Sequence, residues 1–146
     1  MYEQMLIPYD GSKESKRGAK HGMELAAALG STVHGLYVID LPGAPRAISL
    51  RDDEEELREE YREYGEEELT ALGEIAADHG VEFEQHMRSG SPSEEIVDFA
   101  DTEEMDVVVM GSAYRGKLGN LLGGTTDRVV RSSAVPVITH RMRAED

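Results

Sequence analysis

The residues of this chain best suited to holding an anion lie in one run, from Gly111 to Thr126: Gly-Ser-Ala-Tyr-Arg-Gly-Lys-Leu-Gly-Asn-Leu-Leu-Gly-Gly-Thr-Thr. An apolar segment, Met105 to Met110, precedes it, and a helix-like segment, Asp127 to Ser133, follows. A buried strand, a glycine-rich loop and a helix N-terminus make a phosphate-binding arrangement. Glycines let backbone N–H groups approach an anion, and the free amides of the helix start point at it. Thr125 and Thr126 add hydroxyls at that start, where the helix dipole reinforces them. Arg115 and Lys117 put two of the few cations of the chain inside the loop, as an anion site wants. A second candidate is Asp10 in Pro8-Tyr9-Asp10-Gly11-Ser12, whose carboxylate can accept from an amine or a sugar hydroxyl. Asp-Gly-Ser is also sound turn and cap chemistry with no ligand at all.

Other chemistries find little support. Gly116-Lys117 is followed by Leu118, so there is no Walker A sequence; Gly-x-Gly-x-x-Gly and Gly-x-Ser-x-Gly are also missing. His21, His34, His79, His86 and His140 show no metal-ligand spacing along the chain and read as surface or satisfied residues, so no metal ligands are expected. With no cysteine, disulfides, thiolate metal sites and cysteine nucleophiles are excluded.

These candidates need a scaffold, and the chain alternates strand and helix. Met5 to Tyr9 reads as a strand. Ser12 caps a helix running to Leu29, closed by Gly30. Thr32 to Ile39 is a second strand, and Leu41 to Leu50 a loop. Residues 51–79 read as a long helix whose apolar stripe is Leu57, Tyr61, Tyr64, Leu72 and Ile75. The 11 acidic residues between Asp52 and Glu68 form its solvated face. Val81 to Met87 is a third strand. Ser91, Pro92 and Glu94 make a capping box that opens the next helix. Met105 to Met110 and Val135 to Thr139 are the last two strands, the latter an edge because Pro136 lacks a ladder donor. Five strands and four helices in alternation predict an α/β fold: an open, doubly wound, five-stranded parallel sheet. Ligands of such sheets sit beyond the carboxyl ends of the strands. Asp10, Val38 to Asp40 and Gly111 all fall there.

Composition bounds the partners. A chain of 146 residues is expected to form one domain with a proper core. Against 30 acidic residues stand 15 basic ones, only 4 of them Lys, for a net charge of −15. That excludes nucleic acid and anionic membrane as partners, since both need a basic face. Abundant acid with scarce Lys fits adaptation to high salt, where screening suppresses self-repulsion. No segment reaches transmembrane length and the start carries no signal-like pattern, so a cytoplasmic location is expected.

Several of these stretches together resemble the universal stress protein family in its single-domain, ATP-binding form, over nearly the whole chain. They are Met5-Leu6-Ile7-Pro8-Tyr9-Asp10-Gly11-Ser12, Leu36-Tyr37-Val38-Ile39-Asp40, Gly90-Ser91-Pro92, Val108-Val109-Met110-Gly111-Ser112 and Ala134-Val135-Pro136-Val137. The family's nucleotide signature is Gly, 2 residues, Gly, 9 residues, Gly, then Ser or Thr; Gly111 and Gly124-Thr125 keep that spacing, but Tyr114 occupies the middle glycine. Strand ends, loop cations and the resemblance together make Pro8, Tyr9, Asp10, Val38, Met110, Gly111, Tyr114, Arg115, Gly124, Thr125 and Thr126 the expected nucleotide site. Adenine would lie near Asp10 and Val38, and ribose and phosphates along Gly111, Gly124, Thr125 and Thr126. Mg2+ or Mn2+ would come with the phosphates rather than bind protein ligands. The resemblance also implies a homodimer through Val135 to Thr139. Tyrosine at 114 leaves three outcomes open: ATP binds, another nucleotide binds, or the site is closed. The expected function is a dimeric, nucleotide-dependent stress-response switch rather than an enzyme. A nucleotide-free interaction protein and a slow ATPase are the alternatives, the latter lacking a clear general base.

Overall fold

A computed structural model describes residues 1–40, 51–112 and 124–143 (of residues 51–54, the backbone). The elements, in chain order, are β1 (Gln4–Pro8), α1 (Lys13–Leu29), β2 (Thr32–Ile39), α2 (Arg51–Asp78), β3 (Glu82–Ser89), α3 (Pro92–Thr102), β4 (Val107–Ser112), α4 (Thr125–Ser132) and β5 (Val137–Arg141). The five strands form one sheet in the order β3-β2-β1-β4-β5, every neighbour parallel. This is the doubly wound architecture expected of the alternation, and β5 is at its edge.

The sheet is buried on both faces, which explains the apolar runs in its central strands. Met5, Ile7 and Val33 pack with Ala19, Met23 and Ala26 of α1 and with Leu72 and Ala76 of α2. On the opposite face Leu6, Leu36 and Val108 pack with Ile96, Phe99 and Ala100 of α3 and Val129 of α4. Helix α1 begins where Ser12 accepts from the Ser15 N–H at 3.2 Å. It ends at Gly30, whose φ of 73° is the left-handed cap conformation.

Several boundaries and contacts differ from the sequence reading. The buried face of α2 is Gly65, Leu69, Leu72 and Ala76 with half-buried Tyr61, while Leu57, Tyr64 and Ile75 are exposed. Small residues cause the shift: a side chain at Gly65 would run into the rings of Tyr37 and the Met87 methyl, so the helix lies closer to the sheet than a stripe of large residues permits. The capping box at α3 does not form. Ser91 is the N-cap and Pro92 opens the helix, but the Ser91 side chain makes no capping hydrogen bond. Strand β4 continues through Gly111 and Ser112, because β5 pairs with it there, Gly111 with His140 and Ser112 with Arg141. Helix α4 starts at Thr125, two residues earlier than expected. The loop expected at 41–50 lies outside the described residues.

Candidate functional site

With β2 on one side of β1 and β4 on the other, the chain winds away from β1 in both directions, and a crevice opens at the carboxyl ends of β1 and β4. A cavity of about 310 Å3 lies there, at the low end of small-molecule sites. Pro8, Tyr9, Asp10, Val38, Met110, Gly111, Gly124, Thr125 and Thr126 all line it. Tyr114 and Arg115 lie outside the described residues.

The walls divide by element. Pro8 of β1, Leu36 and Val38 of β2, and Pro92 and Ile96 of α3 give an apolar side. Ser112 at the end of β4, Thr125 and Thr126 at the start of α4, and Arg141 at the end of β5 give a polar side. Strand order puts β2 and β5 on opposite flanks of the crevice, so the cavity is apolar towards one flank and hydrogen-bonding towards the other.

Individual residues carry more than one duty. Asp10 Oδ1 accepts from the Ser12 N–H at 2.9 Å, which shapes the turn into α1. The Tyr64 hydroxyl donates to the Asp10 carbonyl at 3.2 Å. The residue is exposed, so Oδ2 remains available to a ligand. The turn reading and the ligand reading of Asp10 are therefore compatible. The Tyr9 ring packs into the core on the α1 side of the sheet. Burial, with Glu68 and Asp10 nearby, raises its pKa, and burial beside Tyr64 and Asp10 pushes Tyr37 up to about 12. These phenols stay protonated at neutral pH.

Gly111 has a packing reason for being glycine. A Cβ there would overlap the Glu14 carbonyl oxygen of α1, and a Cβ on Gly18 would overlap the Gly111 backbone. Helix α1 thus rests directly on the β4 backbone. The Gly111 carbonyl accepts from Thr126 Oγ1 at 2.8 Å, so that hydroxyl proton ties α4 to β4. What Thr126 offers the cavity is its N–H and a hydroxyl lone pair. Gly124, the α4 N-cap, has no side chain to satisfy the first-turn amides. Ser112 Oγ is buried with no hydrogen-bond partner among the described residues. Asp10, Glu14 and Asp127 make the rim acidic, with Arg141 as the cation among the described lining residues.

The sequence matches the model of the universal stress protein family over residues 1–141. This chain belongs to the universal stress protein family. Universal stress protein MJ0531 of Methanocaldococcus jannaschii is 35% identical over 142 residues, covering 94% of this chain and 81% of the relative. The solved structure of MJ0577, a universal stress protein of the same organism, is 28% identical, with a TM-score of 0.81 and 98% of each chain covered. A universal stress protein solved in complex with cAMP shares the fold, with a TM-score of 0.73 at 22% identity, over 94% of this chain and 96% of that one. Family members of this kind are stress-response proteins, and among the described residues no helix is long and apolar enough to cross a membrane.

Sequence reasoning missed Ser12, Glu14, Ser15, Leu36, Pro92, Ile96, Ser112, Asp127 and Arg141 as lining residues. Arg141 was foreseeable, since the last parallel strand also ends at this edge. Ile96 was not, because its place depends on how α3 crosses the sheet. The reading of satisfied histidines fits hydrogen-bonded His34, and the structure adds a grouping that chain spacing did not show. His34 and His86 do not stand apart: the β2–β3 register brings them together with Glu84, and His34 Nδ1 lies 3.0 Å from His86 Nε2. Burial and the neighbouring His34 lower the His86 pKa, which favours the neutral ring. His21 and His140 also approach, with ring centroids 5.4 Å apart.

Proposed function

We propose that the chain is an ATP-binding stress-response protein, in which nucleotide occupancy acts as a switch on a homodimer. The observation that carries this reading is the two-sided cavity at the switch point, apolar towards β2 and rich in free donors towards β5. A nucleotide has the same division. Its base would lie against Val38, Leu36 and Pro8, and Asp10 Oδ2 would accept from the ribose or the adenine amine. The phosphates would meet the amides of Thr125 and Thr126, where the α4 dipole favours negative charge. Ser112, a lining residue whose buried Oγ is unpartnered among the described residues, would add a hydroxyl donor at that end. A fold relative solved with cAMP fits an adenine ligand. Arg115 and Tyr114, between β4 and α4 in the chain, complete the proposed set.

The acidic rim bears on the metal. A bare triphosphate would be repelled by Asp10, Glu14 and Asp127, so ATP would enter with Mg2+ or Mn2+ carried on its phosphates. The homodimer would pair through the free edge of β5, in a cytoplasm salty enough to screen a net charge of −15.

The test is the nucleotide content of the protein purified in high salt, denatured and resolved by ion exchange. Close to one ATP per chain is the expected result. An empty chain that also takes up no added MgATP by calorimetry would overturn the reading. It would favour a nucleotide-free interaction protein, with Tyr114 closing the site.

A further inference from the structure

Away from the cavity, on the sheet face covered by α3, the β2–β3 register sets His34 opposite Glu84, and the pleat puts His86 on the same side. We propose that His34, Glu84 and His86 form a site for a divalent transition-metal ion of the zinc type, held by two imidazoles and one carboxylate. Five observations support it.

The spacing fits. Two imidazoles on one tetrahedral zinc have their nitrogens about 3.3 Å apart and their ring centres about 5.2 Å apart. Here the nitrogens are 3.0 Å apart and the centroids 5.2 Å apart, so the rings already stand at ligating distance and need only tilt. Glu84 Oε1 lies 3.9 Å from His34 Nδ1 and 3.8 Å from His86 Nε2. Its side chain is 62% exposed and can close the last half-ångström without disturbing the core.

The tautomer is set. His34 Nε2 donates to Gln4 Oε1 at 2.7 Å, so its Nδ1 lone pair accepts the His86 Nε2–H in the metal-free pair; a metal would replace that proton, with His86 carrying its hydrogen on Nδ1 instead. A polar partner behind a ligating imidazole is the usual means of fixing its orientation. The environment is also right, because Phe99 backs the His86 ring at a centroid distance of 4.7 Å while Glu84 keeps the site open to solvent.

The neighbouring cation, Arg88, does not compete. Arg88 points its guanidinium at Asp98 at 3.5 Å, with Glu103 at 3.8 Å and Glu95 at 3.9 Å, over the Phe99 ring. Finally, the donor set discriminates. Two nitrogens and one oxygen suit zinc and its neighbours in the transition series, whereas Mg2+ and Ca2+ want oxygen alone. That separates this cluster from the many exposed carboxylates of the chain, which attract any cation. Three protein ligands leave a position open to water or to a small exogenous ligand.

The experiment is Zn2+ titration of the full-length protein, freed of nucleotide, in excess Mg2+, with Co2+ substitution to read the geometry. One Zn2+ per chain and the visible absorption of four-coordinate Co2+ are expected. Glu84→Gln and His86→Gln should each weaken Zn2+ binding by more than tenfold at unchanged circular dichroism, and Gln4→Ala by about tenfold, because the His34 ring loses the acceptor that orients it. Should His86→Gln fail to fold, the exposed Glu84→Gln carries the test alone. No uptake in excess Mg2+, or uptake that survives Glu84→Gln, would overturn the proposal. The first result would leave only a hydrogen-bonded histidine pair. The second would move the metal elsewhere, for example to His21 and His140.

Discussion

Gly111 can be glycine for two different reasons. In the sequence it looks like the first glycine of a phosphate loop, where the absence of a side chain serves a ligand. In the structure it lies inside β4, where a Cβ would strike the α1 backbone at Glu14. The two reasons predict different outcomes for Gly111→Ala. If packing governs, the nucleotide-free protein should lose about 1–3 kcal/mol in urea denaturation, as overpacked sites do. A variant of unchanged stability that merely fails to bind ATP would assign the glycine to the ligand instead. Thr126 divides in a similar way. Its hydroxyl proton goes to the Gly111 carbonyl, so Thr126→Val should cost about 1 kcal/mol of stability. Because the proposed phosphate contacts are backbone amides, ATP affinity should fall only modestly. A collapse of affinity at unchanged stability would show the hydroxyl to be a ligand contact. The turn made by Asp10 was legible because Asp-Gly-Ser encodes it locally. The place of Ser112 at the cavity was not, since it comes from the pairing of the end of β4 with β5.

Among the elements, those with local signals were readable and those defined by contact were not. Ser12, Gly30 and the apolar run from Thr32 to Ile39 each state their own role, and α1 and β2 follow them. Helix α2 shows the opposite. Two faces of this helix share Tyr61 and Leu72, and large apolar residues favour the wrong one. The face that packs uses Gly65 and Ala76, and glycines let the helix approach the sheet, Gly65 against Tyr37 and Gly73 against Phe83. This choice is measurable. Leu69→Ala, at a site 1% exposed, should cost about 2–5 kcal/mol, whereas Leu57→Ala, at 37% exposure, should stay within about 0.5 kcal/mol. Equal effects in thermal or urea unfolding would mean that the packed face is misassigned. The His34–Glu84–His86 cluster was invisible for a related reason. Glu84 and His86 share a face through the pleat of β3, but only the parallel register of β2 with β3 brings His34 to them.

For the whole molecule, the open question is how a chain so strongly acidic would associate with a copy of itself. The sheet ends in β5, whose inner hydrogen bonds are made by alternate residues: the Pro136 carbonyl accepts from Val108, and the Met142 N–H donates to Ser112. Residues of that parity face β4, so Val137, Thr139 and Arg141 direct their N–H and C=O groups outward. A partner strand would pair with these groups. Val137 is a poor place to test this, because its side chain packs against the core and Val137→Glu would disturb folding as well as association. Thr139 is exposed, and Thr139→Pro removes one outward donor while leaving the β4 ladder intact. Light scattering should report a dimer for the parent chain and a monomer for this variant, with little change in unfolding temperature. Pairing two protomers doubles a charge of −15 on one particle, so the dimer should also weaken as salt is withdrawn. Protomer stability should fall in parallel, since the acidic faces repel within each chain. If association is instead indifferent to both Thr139→Pro and salt, the interface lies away from β5 and is apolar. Exposed Val130 on α4, 50% accessible, is then the place to look, and the switch would act through the helix that carries the proposed phosphate contacts rather than through the sheet edge.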